Sequence, residues 1–213
     1  MSETELTLQE RATNFDTMRH IERVRNLLGD CVVELLKRAR EHDQSKLEPP
    51  EVSLFAEYTP RLAGMTYGSE EYRECLAGLG PALQHHYASN RHHPEHFDCW
   101  ECPECKRTYT PSDVPDADYA DSQYRWCLDC YDGKYPGYFE TALSKKVSLD
   151  AMNLFDVLEM LVDWKAASER HDDGDIRRSI QINTDRFSIS PQLVAILNNT
   201  VDAMFPATPS NTQ

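Results

Sequence analysis

The chain has no apolar run near the roughly 20 residues that cross a bilayer, which argues against a membrane protein. Its opening residues, Met1-Ser-Glu-Thr-Glu, are polar and acidic and lack the pattern of a secretory signal. Basic side chains are scarce, with 22 Lys and Arg against 36 Asp and Glu and a formal net charge of −14 over 213 residues. Duplex binding depends on Lys and Arg meeting phosphates, so duplex nucleic acid is a disfavoured partner. A small phosphate ligand remains compatible with this charge, because one metal site can hold phosphates on an acidic protein. There is no internal repeat. These absences leave a globular protein of the reducing cytoplasm, 40% hydrophobic and 27% charged. In that compartment, cysteines paired as C-x-x-C point to metal and away from disulfides.

Helical periodicity organises most of the chain. Residues 1–14 read as a disordered N-terminus. Met18, Ile21, Val24, Leu28, Cys31, Val32, Leu35 and Ala39 then recur at helical spacing, predicting a long helix from Phe15 to Arg40 that ends near Glu41-His42-Asp43. Pro50 suits the first position of a short helix through Tyr58. Helices are expected over 69–78 and 82–90, separated by Gly80-Pro81. Ser148 is an expected N-cap for a helix reaching about Glu169, and Ser190-Pro191 starts another through Met204. Residues 206–213 read as a disordered tail.

At residues 99–140 the composition changes. This stretch holds Cys99, Cys102, Cys105, Cys127 and Cys130, five of the seven cysteines, and two of the three tryptophans. The pairs Cys102-x2-Cys105 and Cys127-x2-Cys130 match a four-cysteine structural zinc site, each pair forming a knuckle that supplies two thiolates. Cys99 is left as a spare. Four basic and nine acidic side chains surround these cysteines. A ribbon that reads nucleic acid would be basic, so a structural or partner-docking role fits better.

Chemistry is expected elsewhere. Of eight histidines, five fall in His85-His86-x5-His92-His93-x2-His96. His86 and Asn90 share a helix face. His42-Asp43 closes the first long helix, and adjacent His and Asp can both reach one divalent cation where the backbone turns. Asp156, Glu159 and Asp163 are spaced by three and four on one helix, which is either a solvated acidic face or a cation-binding row. Each element alone is ordinary. Together they suggest a site for one or two divalent metals with phosphate as a natural substrate group.

His42-Asp43-x-Ser45-Lys46, His85-His86-x3-Asn90-x-His92-His93 and Glu159-x3-Asp163-Trp164 resemble the motifs of an uncharacterised HD-like family common in phage and bacterial genomes. That family is related to the HD superfamily of metal-dependent phosphohydrolases, whose pattern His20 … His42-Asp43 … Asp163 also resembles. The resemblance implies an all-α fold, an HD-like helical domain over 15–98 and 141–205 with a zinc-ribbon-like insert at 99–140. It implies His20, His42, Asp43 and Asp163 as ligands to one or two divalent ions (Mg, Mn, Co, Ni or Fe). Lys46, His85, His86 and His92 would hold phosphate or protonate the leaving oxygen, and Asn90, His93 and Glu159 complete the catalytic candidates. Two departures stand out: Lys46 replaces a carboxylate that nucleotidase-type HD enzymes often carry, and the insert is foreign to the shorter relatives.

The expectation is therefore a metal-dependent phosphohydrolase acting on a nucleotide or other small phosphate ester, with a structural zinc insert. It would work in the cytoplasm, the host's if the gene is phage-borne, and a homo-oligomer is compatible. The alternative is a non-catalytic HD-like protein whose zinc insert docks a protein or nucleic acid.

Overall fold

A computed structural model describes residues 6–62, 64–66, 69–109, 127, 143–147, 149–170 and 174–206. The chain forms two compact units, residues 1–44 and 45–213, each described by itself.

The first unit is one helix, α1 (Leu8–Glu41). Thr7 caps it: the Glu10 N–H donates to Thr7 Oγ1 at 3.2 Å, and the Thr7 N–H donates to Glu10 Oε2 at 2.7 Å. The same backbone and hydroxyl donors hold the Glu10 carboxyl below its ordinary range. This capping box overturns the expectation of disorder for residues 7–14, since α1 starts seven residues ahead of Phe15; residues 1–5 lie outside the described residues. The signal was Thr7-x2-Glu10, legible without the apolar stripe. At the other end His42 is the C-cap, its N–H donating to Arg38 O at 2.8 Å, as the sequence led one to expect.

The second unit begins within a 3-10 turn (Gln44–Leu47) that carries Ser45 and Lys46, followed by α2 (Glu51–Leu62). Helix α3 (Glu70–Ser89) is capped by Ser69 and broken at Gly80, whose backbone is non-helical. Pro81 explains the break, because it has no N–H and pushes the residue before it out of the helical region. A Cβ at Gly78 would come within 2.5 Å of the Tyr58 ring, so glycine allows α2 and α3 this close approach. A 3-10 turn (Pro94–Phe97) leads into a small antiparallel sheet.

That sheet departs from the all-α expectation. It has the order β2-β1-β3, formed by β1 (Asp98–Glu101), β2 (Thr108–Tyr109) and β3 (Ser144–Val147). Cys99 pairs with Lys146 and Trp100 with Tyr109 in register. β3 lies in the part assigned to the helical domain, and its pairing with β1 brings together the two ends of the cysteine-rich insert.

Three helices complete the unit. α4 (Leu154–Ser168) is capped by Asn153, whose side chain accepts from Phe155 and Asp156 N–H groups. It therefore starts six residues after the expected cap Ser148, which lies outside the described residues; a 3-10 turn at Leu149–Ala151 precedes it. α5 (Ile176–Phe187) was not anticipated. Its inward stripe is Ile176, Ile180, Asn183 and Phe187, too sparse in apolar residues to stand out. α6 (Pro191–Met204), capped by Ser190, falls where the sequence placed it. Leu161, Ile176, Ile180, Leu197 and Val201 form the buried core of α4, α5 and α6, with Trp164 and Phe205 packed against it. Among the described residues no helix is long and apolar enough to cross a membrane.

Leu161 has no exposed surface and joins α4 to both following helices. Leu161→Ala is expected to lower the unfolding free energy by about 2–5 kcal/mol, read as a lower urea midpoint with little change in slope.

Candidate functional site

Glu51, the first residue of α2, has no exposed surface. Its Oε1 lies 2.6 Å from His85 Nδ1 and its Oε2 lies 3.0 Å from His86 Nδ1, so both oxygens accept from imidazole. The start of a helix is also a favourable place for a carboxylate. His85 and His86 sit in the last turn of α3, and Asn90 is its C-cap. The Asn90 side-chain amide donates to His86 O at 2.8 Å and to Ser45 Oγ at 2.8 Å. One buried group of side chains thus ties the turn at Ser45, the start of α2 and the end of α3. Glu51 was absent from the sequence candidates, because an acidic residue in a first helical turn is ordinary and its partners lie far along the chain.

Past Asn90 the backbone turns and brings His92 and His93 beside His86. Each of these three rings offers a nitrogen, and the three lie within 4.8 Å of one another. His86 Nε2 and His93 Nε2 are 2.8 Å apart, and the His92 and His93 ring centres are 4.2 Å apart. His86 and His92 are buried. His92 Nδ1 lies 3.2 Å from Glu159 Oε1 on α4, and Asp163 follows one turn later, half-buried. Lys46 sits 5.3 Å over the Phe55 ring, which meets His86 edge-on.

The expected carboxylate row divides into separate tasks. Asp156 is fully buried and accepts from Arg91 Nη2 at 3.1 Å, from Arg91 Nε at 3.3 Å and from the Asn153 N–H at 2.9 Å. It is an anchor for the histidine turn as well as a cap for α4. Glu159 faces His92. Tyr87, Glu95 and Arg186 add a second anchor: Arg186 bonds both Glu95 and Tyr87, and His96 Nδ1 donates to Tyr87 O at 2.9 Å.

In the first unit, His42 Nε2 lies 3.6 Å from Asp43 Oδ2, and Asp43 has a left-handed backbone (φ 57). His20 is exposed on the same continuous α1. At 1.5 Å rise per residue it lies about 33 Å from His42, so His20 and His42 cannot ligate one ion. The superfamily pattern matched their order along the chain, and a single helix of this length forbids the shared role.

The cysteines form a second group. The β1–β2 connection folds as a knuckle in which the Cys102 N–H donates to Arg107 O at 2.9 Å and the Lys106 N–H to Cys102 O at 3.1 Å, with Lys106 left-handed at φ 59. The Cys102, Cys105 and Cys127 sulfurs lie within 4.8 Å of one another, and Cys105 Sγ is 3.6 Å from Cys127 Sγ. That is far beyond a disulfide bond of about 2.05 Å. It approaches the edge of about 3.8 Å that a tetrahedron with 2.3 Å metal–sulfur bonds requires. Tyr109 Oη lies 3.1 Å from Cys127 Sγ. Cys130 lies outside the described residues, and Cys99 stands on β1, apart from this thiol group.

Burial, reinforced by the Glu95 carboxylate, pushes the Tyr87 hydroxyl up to about 12 from 10.0, against the opposing pull of Arg186. A tyrosine with a raised folded value stabilises the fold below its unfolded value and loses that contribution as pH rises through the folded one. Stability should therefore fall between pH 10.0 and about 12 by ionisation of Tyr87 in the unfolded chain. Urea unfolding across this window should show a shallower loss in Tyr87→Phe than in the wild type.

No curated protein and no solved structure matches the chain. A family model does match, over residues 9–120 and 136–203. The chain belongs to that family, the family of unknown function DUF5662.

Proposed function

We propose that the histidine cluster binds one or two divalent metal ions and hydrolyses a small phosphate ester, a nucleotide being the first expectation. The observation that carries this reading is the convergence of the His86, His92 and His93 nitrogens within 4.8 Å. Two of these rings have a carboxylate at Nδ1, Glu51 behind His86 and Glu159 behind His92. Carboxylate-backed imidazole is the usual outer-shell arrangement of metal-ligating histidine. The 2.8 Å between His86 Nε2 and His93 Nε2 is close to the spacing of about 3 Å between neighbouring ligands at 2.0–2.1 Å from one ion. The donor set of imidazole and carboxylate suits zinc, iron, nickel or manganese.

A bound divalent ion would supply Lewis acidity and a more acidic water. The remaining work falls to the chain. Lys46 supplies positive charge for the phosphate. His85, half-exposed and held by Glu51, is placed to give or take a proton through Nε2. Asp163 adds a carboxylate to the metal's ligands. His42 and Asp43 enter as ligands from the sequence resemblance alone. The Cys102, Cys105 and Cys127 thiolates would hold a separate structural zinc, with Cys130 as the fourth ligand expected from sequence.

Phosphate release over a panel of nucleotides and simple phosphate esters, with Mg, Mn, Co and Ni, tests the activity. His86→Ala and Asp163→Asn are each expected to lower it by about 100-fold or more. Metal-replete wild-type protein that releases no phosphate from any ester refutes the reading. Elemental analysis tests the two metal sets. Cys102→Ser should lose zinc while keeping the His86-dependent metal, and His86→Ala should show the reverse; loss of both metals together in properly folded variants would refute two separate sites.

A further inference from the structure

Glu51 is buried at the centre of the histidine group, yet no motif in the sequence marks it. We infer that Glu51 is a positioning residue for the metal centre: by accepting from His86 Nδ1 it fixes the tautomer of that ring and aims His86 Nε2 at the ion. The role in metal binding rests on the reading proposed above. The tautomer rests on hydrogen-bond accounting.

Among the described residues, Glu51 Oε2 at 3.0 Å, Asn90 Nδ2 at 3.0 Å and Ser45 Oγ at 3.3 Å face His86 Nδ1. A side-chain amide nitrogen has two hydrogens. Asn90 directs both elsewhere, to His86 O at 2.8 Å and to Ser45 Oγ at 2.8 Å. Exchanging the amide oxygen and nitrogen would set two carbonyl oxygens 2.8 Å apart, lone pair against lone pair, so this orientation is required. Asn90 therefore has no hydrogen left for Nδ1. A carboxylate accepts and has none to give. The hydrogen between Glu51 and His86 must then belong to the ring.

With Nδ1 protonated, the neutral imidazole keeps its lone pair on Nε2, the form a metal ligand needs. Nε2 is the atom that lies 2.8 Å from His93 Nε2. The other Glu51 oxygen is occupied by His85 Nδ1 at 2.6 Å, so Glu51 acts through the two rings, behind the ion. The same bond leaves the half-exposed His85 with its Nε2 outward. Glu51 thus sets two histidines at once, the buried His86 and the half-exposed His85.

The test uses the full-length protein with nitrogen-labelled histidine. Long-range proton–nitrogen NMR on the metal-free wild type should find His86 protonated at Nδ1. Co(II) titration, followed by its visible absorption, should show a His86-dependent site. Glu51→Leu should weaken that site by about 10–100-fold, and Glu51→Gln, which keeps one acceptor oxygen, should recover part of the loss. Zinc retained by the cysteines reports that each variant is folded. A His86 ring protonated at Nε2 in the wild type overturns the inference, and so does Glu51→Leu binding Co(II) as tightly as the wild type. Should Glu51→Leu fail to fold, the wild-type spectrum and Glu51→Gln decide. Co(II) binding that is indifferent to His86→Ala overturns the metal reading itself and the role of Glu51 with it. That result differs from binding which needs His86 but not Glu51.

Discussion

A carboxylate withdrawn completely from water must have both oxygens satisfied inside the protein, or it costs several kcal/mol. Glu51 is in that position, and among the described residues the adjacent rings of His85 and His86 donate to its two oxygens. The rest of the site follows from this constraint. It pins the first turn of α2 to the last turn of α3. It consumes Nδ1 of both rings and leaves their Nε2 atoms for other work. It also places the end of α3, where Asn90 closes the helix by bonding His86 O and reaches across to Ser45. A single buried charge therefore determines the orientation of side chains contributed by three segments.

The turn that follows is held with comparable firmness from the other side. Arg91 grips the buried Asp156 through two nitrogens, and Asp156 also completes the cap of α4. Arg186 of α5 ties down Glu95 and Tyr87. His92 and His93 lie between these anchors, on a short irregular segment whose neighbours are all fixed. Functional groups on loops are usually less precisely placed than those on helices. Here the loop is tied to the helices on both sides by these bonds. Glu159 and Asp163 then follow on α4, about one and two turns after the Asp156 cap.

This division of labour explains which features could be read in the sequence. Helices opened by Ser69 or by Ser190-Pro191 were legible, because a cap is a local device. The density of histidines over 85–96 was legible as a candidate cluster for the same reason, and His86, His92 and His93 do come together. Glu51 was not, since nothing near it in sequence announces a partner 34 or 35 residues away. Asp156, Glu159 and Asp163 share a helix face as expected. Spacing could not show that Asp156 is bound to an arginine and that Glu159 backs a histidine. α5 escaped notice because Asn183 interrupts its apolar stripe, and β3 because a four-residue strand becomes visible only through its partner. His20 failed in the opposite direction. Order along a chain matched a family pattern, while an unbroken helix separated the residues beyond any shared ion.

The two candidate metal groups also differ in a way that bears on their roles. Among the described residues, the thiols of Cys102 and Cys127 are buried beside Tyr109 and Leu143, with Trp100 alongside. The Tyr109 hydroxyl further covers one sulfur. Such surroundings favour a closed, structural ligand set. The imidazole group has the contrary character: its inner rings are buried and backed by carboxylates, while His85 remains half-exposed at the edge. Substrate can meet a group of that kind. The cysteine knuckle follows the histidine turn after only a few residues of β1, so a metal bound by the thiols would stiffen the strand leading away from the site. On this argument the cysteines would hold the frame, and the histidines that Glu51 and Glu159 orient are the groups proposed to do the chemistry.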